Sequence, residues 1–339
     1  MSISNFLINR VWKINPFIEV LAVIVPLLLG VAFMTIIERK VLAGMQRRVG
    51  PNTVGAYGVL QPFADALKLV IKETVVPSLS HSVLFYLAPS LALIFSLLGW
   101  AVMPLGPGLV LRDLELGVLY TLAVSSMGVY GVLLAGWSAN SKYAFLGGLR
   151  STAQMISYEL ILGSAVLVVV MLSGSLNYTE IVERQQSVWF IVPLRPMFIL
   201  YVISVLAETN RTPFDLPERE SELVSGFNTE HSAMPFVLFF LAEYASIVLM
   251  STLTALFFLG GWGIPEIFNN ETIFSIASII LGLKTCLSCF GFVWFRATLP
   301  RVRWDTLMTF CWTQALPLAI RIVLLVPSLL IAFDVVPCY

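Results

Sequence analysis

Eight apolar runs, each about 20 residues long, recur along the chain and decide what solvent it can fold in. They lie at 17–37, 83–103, 114–136, 153–173, 188–207, 234–259, 273–295 and 311–333. At 1.5 Å per residue, a helix of this length crosses a hydrocarbon core of ~30 Å. The 339 residues are 58% hydrophobic and 12% charged with a mean hydropathy of +0.89, so a soluble domain of this size would expose too much apolar surface. The expected architecture is all-α: a polytopic membrane protein of about eight transmembrane helices, forming one integral membrane domain over 1–339 with both termini on the same side. The run at 188–207 is the least regular, since it carries Pro193, Arg195 and Pro196 and ends against Glu208, so a short or tilted helix is expected there. The polar first ~16 residues show no small-residue cleavage pattern before the first run, so that helix is expected to stay.

Lys and Arg distribute unevenly between the two sides. Connections after runs one, three, five and seven hold thirteen, among them Arg39, Lys40, Arg47, Arg48, Arg211, Arg296 and Arg301; the opposite side holds five. The excess places the odd connections in the cytoplasm or its mitochondrial equivalent, the matrix. Lys284 and Arg321 fall inside runs.

Two segments on that side stand out. In 38–73, Val59, Leu60, Phe63, Leu67, Val70 and Ile71 recur at helical spacing while Asp65, Lys68 and Lys72 take other faces, which predicts an amphipathic interfacial helix within a matrix-side loop over 38–82. Such a helix either stabilises the loop or touches an amphiphilic ligand. The second segment, a matrix-side loop over 208–233, is acidic: residues 207–230 hold Glu208, Asp215, Glu218, Glu220, Glu222 and Glu230, six of the twenty carboxylates, offset by Arg211 and Arg219. The charges are complementary, +3 for 38–73 (six cations, three acids) and −4 for 207–230 (two cations, six acids), so pairing between the segments is one expectation. Topology and lipid headgroups account for the cations equally well.

Carboxylates also enter the runs. Glu159 lies six residues into 153–173, Glu243 sits inside 234–259, and Glu38 and Glu208 close the ends of two runs. A charge at the bilayer centre costs roughly 2.5–3.5 kcal/mol, so acids at such depth require a partner, a wet cavity or a proton. Glu159 and Glu243 pairing with Lys284 and Arg321 would be a purely structural solution. Two cations cannot neutralise so many acids, and Tyr158, Tyr244, Ser157 and Thr209 stand nearby, so a relay of acids, hydroxyls and water is expected instead.

The chain lacks a Gly-rich phosphate loop, a G-x-G-x-x-G, a Ser-His-Asp set and an aromatic-basic stripe, which argues against NADH, ATP or nucleic acid binding by this chain. Cys286 and Cys289 form a C-x-x-C within an apolar run without a second ligand pair, a spacing read here as packing rather than metal or redox chemistry. Buried acids and broken helices also belong to secondary transporters, although no internal repeat is evident.

The motifs ERK at 38–40, AGMQRR at 43–48, GPN at 50–52, LQPFADALKL at 60–69, SYE at 157–159, AETNRTPFDL at 207–216, ESELVSGFN at 220–228 and AEY at 242–244 occur in the order found in chain 1 of proton-pumping NADH:ubiquinone oxidoreductase and in its bacterial equivalent. Over nearly its whole length the chain resembles that family. The resemblance implies an eight-span protein at the joint between membrane arm and hydrophilic redox arm, forming the ubiquinone access chamber and the start of an acidic path that couples quinone reduction to proton translocation. Carried over residue by residue, it assigns Glu38, Glu159, Glu208, Asp215, Glu218, Glu220, Glu222, Glu230 and Glu243 to the proton path and Arg39, Arg48 and Phe240 to the quinone passage. It further implies ubiquinone as substrate, membrane lipids and the other complex I subunits as partners, FMN and Fe–S clusters held by those subunits, and a mitochondrial inner membrane location or, for a bacterial member, the plasma membrane. Arg219 departs from the family pattern between Glu218 and Glu220. Related anchoring subunits of membrane-bound hydrogenases and plastid quinone-reducing complexes share these features and differ in their redox donor.

Overall fold

A computed structural model describes residues 16–215, 225–263 and 277–333. Among these the regular secondary structure is helical, with no strand. The described residues form eleven α-helices: α1 (Pro16–Met45), α2 (Gln61–Ile71), α3 (Ser82–Leu98), α4 (Gly117–Ser138), α5 (Lys142–Ser173), α6 (Tyr178–Arg184), α7 (Arg195–Glu208), α8 (Ala233–Phe258), α9 (Ala277–Thr298), α10 (Trp304–Phe310) and α11 (Leu316–Ala332). A π-turn, Cys311–Ala315, joins α10 to α11 into one continuous rod.

Seven of these units are long and apolar enough to cross a membrane: α1, α3 with its 3-10 extension to Val102, α4, α5, α8, α9 and the α10–α11 rod. The run at 188–207 corresponds to α7, which begins only at Arg195 and has 14 residues, about 21 Å of rise. Pro196 in its first turn explains the late start, since proline suits the opening of a helix and not its interior. The run expected to be short or tilted is thus a short helix, buried along most of its length against α5.

The polar stretch before 153 is not a connection. Ser141 caps α5 by accepting from the Ala144 amide at 3.2 Å, and the helix runs 32 residues from Lys142 to Ser173, ended by Gly174 with its left-handed φ of 73°. Glu159 therefore stands 17 residues into its helix (159 − 142), deeper than the hydropathy boundary implied. Glycines let α4 and α5 approach closely. A Cβ on Gly136 would come within 2.8 Å of the Ala144 carbonyl and 3.2 Å of Gly148 Cα.

The core lies where α5, α7 and α8 meet, around Tyr158, Ile161, Val168, Tyr201, Leu256 and Phe257. Outward faces of α1, α9 and α11 remain apolar and exposed, for example Leu21, Leu283 and Leu324, as lipid or neighbouring helices require. Lys284 on α9 meets no acid among the described residues. Its Nζ donates to the carbonyls of Leu259, Gly261 and Gly263 at 2.6–2.8 Å, closing the end of α8 where the helix dipole favours a cation. Cys286 is exposed and Cys289 buried in a small cluster with Val31 and Met34.

Candidate functional site

Two cavities flank α8, and adjacent residues of that helix line one each. The first, of about 420 Å³, is a groove between α1, α2 and α8, with walls of Val31, Pro62, Phe236 and Phe240 and polar points at Arg39, Asp65 and Tyr244. The second, of about 140 Å³, lies between α3, α4 and α8; Glu208, Asp215, Glu243, Ser125 and Asn228 supply its polar wall. One water needs ~10–15 Å³ measured this way, so the chamber has room for several.

Between the cavities lies a charged cluster assembled from four separate parts of the chain. Glu38, 5% exposed near the end of α1, accepts a hydrogen bond from Tyr244 Oη at 2.5 Å and from Arg296 at the end of α9, and Arg211 Nη1 reaches the same carboxylate at 3.5 Å. Arg211 Nε forms an ion pair with Glu243 at 2.8 Å, and its guanidinium lies 4.4 Å from the centre of the Tyr244 ring. Burial works against the charge of Arg211, but Glu243, Tyr244 and Glu38 more than offset it and hold the guanidinium well above its ordinary proton affinity. Arg211 is a fixed cation between the buried Glu38 and the part-buried Glu243.

Of the expected proton-path residues, Glu38 and Glu243 meet at Arg211, while Glu208, Asp215 and Glu243 share the chamber. Asp215 pairs with Arg301 at 3.3 Å, beside a backbone hydrogen bond from Val302 to the Pro213 carbonyl. Oε2 of Glu208 meets no hydrogen-bonding partner among the described residues. Glu159 accepts from Ser126 at 2.5 Å and from Ser125 at 3.3 Å, and Ser125 is also a wall of the chamber. Glu230 is half-buried and lines neither cavity. Glu218, Glu220 and Glu222, with Arg219 between them, lie outside the described residues.

Of the expected quinone-passage residues, Arg39 and Phe240 line the groove, Phe240 sitting 5.6 Å from Phe236 and 4.9 Å from Tyr244 between ring centres. Arg48 does not; it is exposed and donates to Gln46. The expected pairing of 38–73 cations with the acidic segment is replaced among the described residues by local contacts, Arg39 to Asp65 at 2.7 Å and Lys40 to the Tyr57 carbonyl. The acids find Arg211, Arg296 and Arg301 instead. Nor do Glu159 and Glu243 meet Lys284 or Arg321: they are held by serines and by Arg211.

Sequence reasoning marks Arg296 and Arg301 only as topology signals and does not find Ser125, Ser126 or Gln154. Gln154 is fully buried on α5 and donates to the carbonyls of Ala207 and Phe214 at 2.9 and 3.0 Å, fastening the start of the acidic segment. The signal present in the sequence is the side assignment, which puts Arg296 and Arg301 in the same compartment as the acids.

Residues 18–327 match the protein family described as NADH dehydrogenase. The chain is similar to NADH-ubiquinone oxidoreductase chain 1 of Mycosarcoma maydis, 67% identical over 322 residues that cover 94% of this chain and 97% of the relative. With the same-named protein of Podospora anserina it shares 53% identity over 354 residues, 94% of this chain and 96% of the relative. A bacterial relative, a NADH-quinone oxidoreductase protein of Rhodospirillum centenum, is 52% identical over 319 residues, 94% and 95%.

Proposed function

Because the chain belongs to the family of NADH-ubiquinone oxidoreductase chain 1 and its bacterial NADH-quinone oxidoreductase equivalents, multi-pass proteins of an inner or plasma membrane, we propose that its groove admits ubiquinone and its buried acids couple quinone reduction to proton translocation. The chain works on this reading as one membrane component assembled with the other complex I subunits of both arms, and the electrons reach quinone from FMN and Fe–S clusters held by those partners.

The observation that carries the reading is the shared position of Glu243 and Tyr244. They are consecutive, yet Tyr244 is a wall of the groove and Glu243 a wall of the chamber, and Arg211 touches both. Apolar walls with few polar anchors suit a long isoprenoid tail beneath a small polar headgroup. Electron delivery to a quinone makes its headgroup basic, and the new charge arises beside Tyr244 and Arg39. Tyr244 donates its hydroxyl to Glu38, so a charge in the groove alters the balance of carboxylates around Arg211. A guanidinium drawn toward Glu38 releases Glu243, whose proton uptake from chamber water passes the bias toward Glu208 and, through Ser125, Glu159. Moving one charge against 100 mV takes about 2.3 kcal/mol, which a passive row of acids cannot supply, so quinone chemistry is the source.

Phe240→Trp tests the passage. The larger ring narrows the groove between α1 and α8, so turnover with a long-tailed quinone should fall several-fold more than with a short-tailed one in the intact complex. Equal effects on both would remove Phe240 from the route, and no effect on either would remove the groove.

A further inference from the structure

Arg321 carries a charge to a depth where no acid of the described residues meets it. It lies 12 residues before Phe333 and 17 after Trp304 on the α10–α11 rod, which is the least buried of the seven spans. At 1.5 Å per residue it stands about 18 Å from one end of the rod and 25 Å from the other, close to its middle. Its side chain is exposed, and none of the ion pairs among the described residues includes it.

The surrounding face has a pattern. Gln314, Leu318, Arg321, Leu325 and Ser328 are all exposed and follow each other at intervals of four, three, four and three residues. Polar residues occupy one heptad position seven apart, and the leucines occupy the other. Alternation of four and three is the spacing of a seam that packs against a second helix at a shallow left-handed crossing. Lipid tails need no such periodicity and cannot solvate a guanidinium.

We propose that this face is an interface for a transmembrane helix of a partner protein that carries a carboxylate at mid-membrane depth opposite Arg321. A second copy of this chain is a poor occupant, since a symmetric pairing along the stripe brings two arginines together. The inference rests on the reading that the chain is assembled with other membrane subunits and adds where one of them docks.

Arg321→Leu separates the possibilities because lipid and an acidic partner respond with opposite sign. Removing the charge eases insertion of the span itself, so a lipid-facing position would leave assembly unchanged or improved. Opposite a partner carboxylate, the same change strands an acid in the membrane, and the yield of assembled complex in native membranes should fall about tenfold or more, with Arg321→Lys restoring most of it. Wild-type or better yield with Arg321→Leu overturns the proposal while leaving the quinone groove untouched, since NADH-driven quinone reduction by that assembly reports on the groove separately. A photo-crosslinking amino acid at Leu325 in the wild-type background gives the second arm. Capture of a helix with Asp or Glu within one turn of the crosslink supports the interface; capture of lipid alone, of this same chain, or of a helix without an acid there sinks it.

Discussion

Tyr244 donates its hydroxyl to the buried carboxylate of Glu38 at 2.5 Å, joining residues 206 positions apart in the sequence. Through this bond the wall of the groove touches the charged cluster directly, and the same ring lies under the Arg211 guanidinium.

Tyr244→Phe keeps the ring and removes the donor. Hydrogen bonds to charged groups contribute about 1.5–3 kcal/mol, so the bond's loss should slow quinone-coupled proton uptake roughly tenfold while the complex still assembles. Proton translocation and NADH:quinone turnover in sealed vesicles provide the measure; an unchanged ratio and rate would exclude Tyr244 as the link.

Arg211 and Arg39 should respond very differently to truncation. Arg211 has a side chain 12% exposed between the buried Glu38 and the part-buried Glu243, whereas Arg39 is 48% exposed in its pair with Asp65. Stranding buried partners costs about 3–5 kcal/mol, against about 0–1 for an exposed pair. Arg211→Gln should therefore lower the thermal stability of the assembled protein severely and Arg39→Gln barely. Comparable losses would contradict the burial assigned to the cluster.

Glu159→Gln combined with Glu243→Gln removes two acids of the proposed relay while preserving volume. Quinone reduction should persist and proton translocation per electron should drop toward background. Pumping at the wild-type level in the double variant would leave the relay without support.

His231 lies just outside α8, stacked on Phe85 at 4.1 Å between ring centres and edge-on to Phe239, and burial pushes its pKa down to about 4. The unfolded imidazole, near 6.5, binds its proton more readily than the folded one, so stability is full above that value and declines as pH falls toward 4. At pH 5 the loss is about 2 kcal/mol. Acidification from pH 7 to 5 should lower the thermal transition of the wild-type protein more than that of His231→Phe. Identical acid sensitivity would show that the imidazole is not the group responsible.

Membrane-spanning helices are legible in the sequence because hydropathy is summed over many residues and needs no knowledge of neighbours. Their ends are not. The segment from Lys142 to Thr152 reads as a connection because of its cations and glycines, yet the helix continues through it, capped by Ser141 and packed through Gly136 and Gly148. At 188–207 the prolines are visible, and only their effect on length is left open. Individual acids at Glu38, Glu208 and Glu243 can be named from depth alone. Their partners cannot, since Arg211 and Arg296 lie 173 and 258 positions from Glu38, and long-range pairing leaves no local pattern. Charge complementarity between 38–73 and 207–230 is real as a sum but does not name partners: among the described residues Arg39 pairs with Asp65 inside its own segment, and the two segments meet through Glu38 and Arg211, with the polarity reversed.

Two anchors of the acidic segment belong to α5. Gln154 ties down Ala207 and Phe214 at one end, and at the other Gly147 meets Gly226 so closely that an added methyl would come within 2.7 Å of its Cα. The same rod carries Glu159 beyond the first anchor. Fastened at both described ends to one helix, the segment and Glu159 share a single support, so a substitution at Gln154 or Gly147 should disturb the acids at both places together.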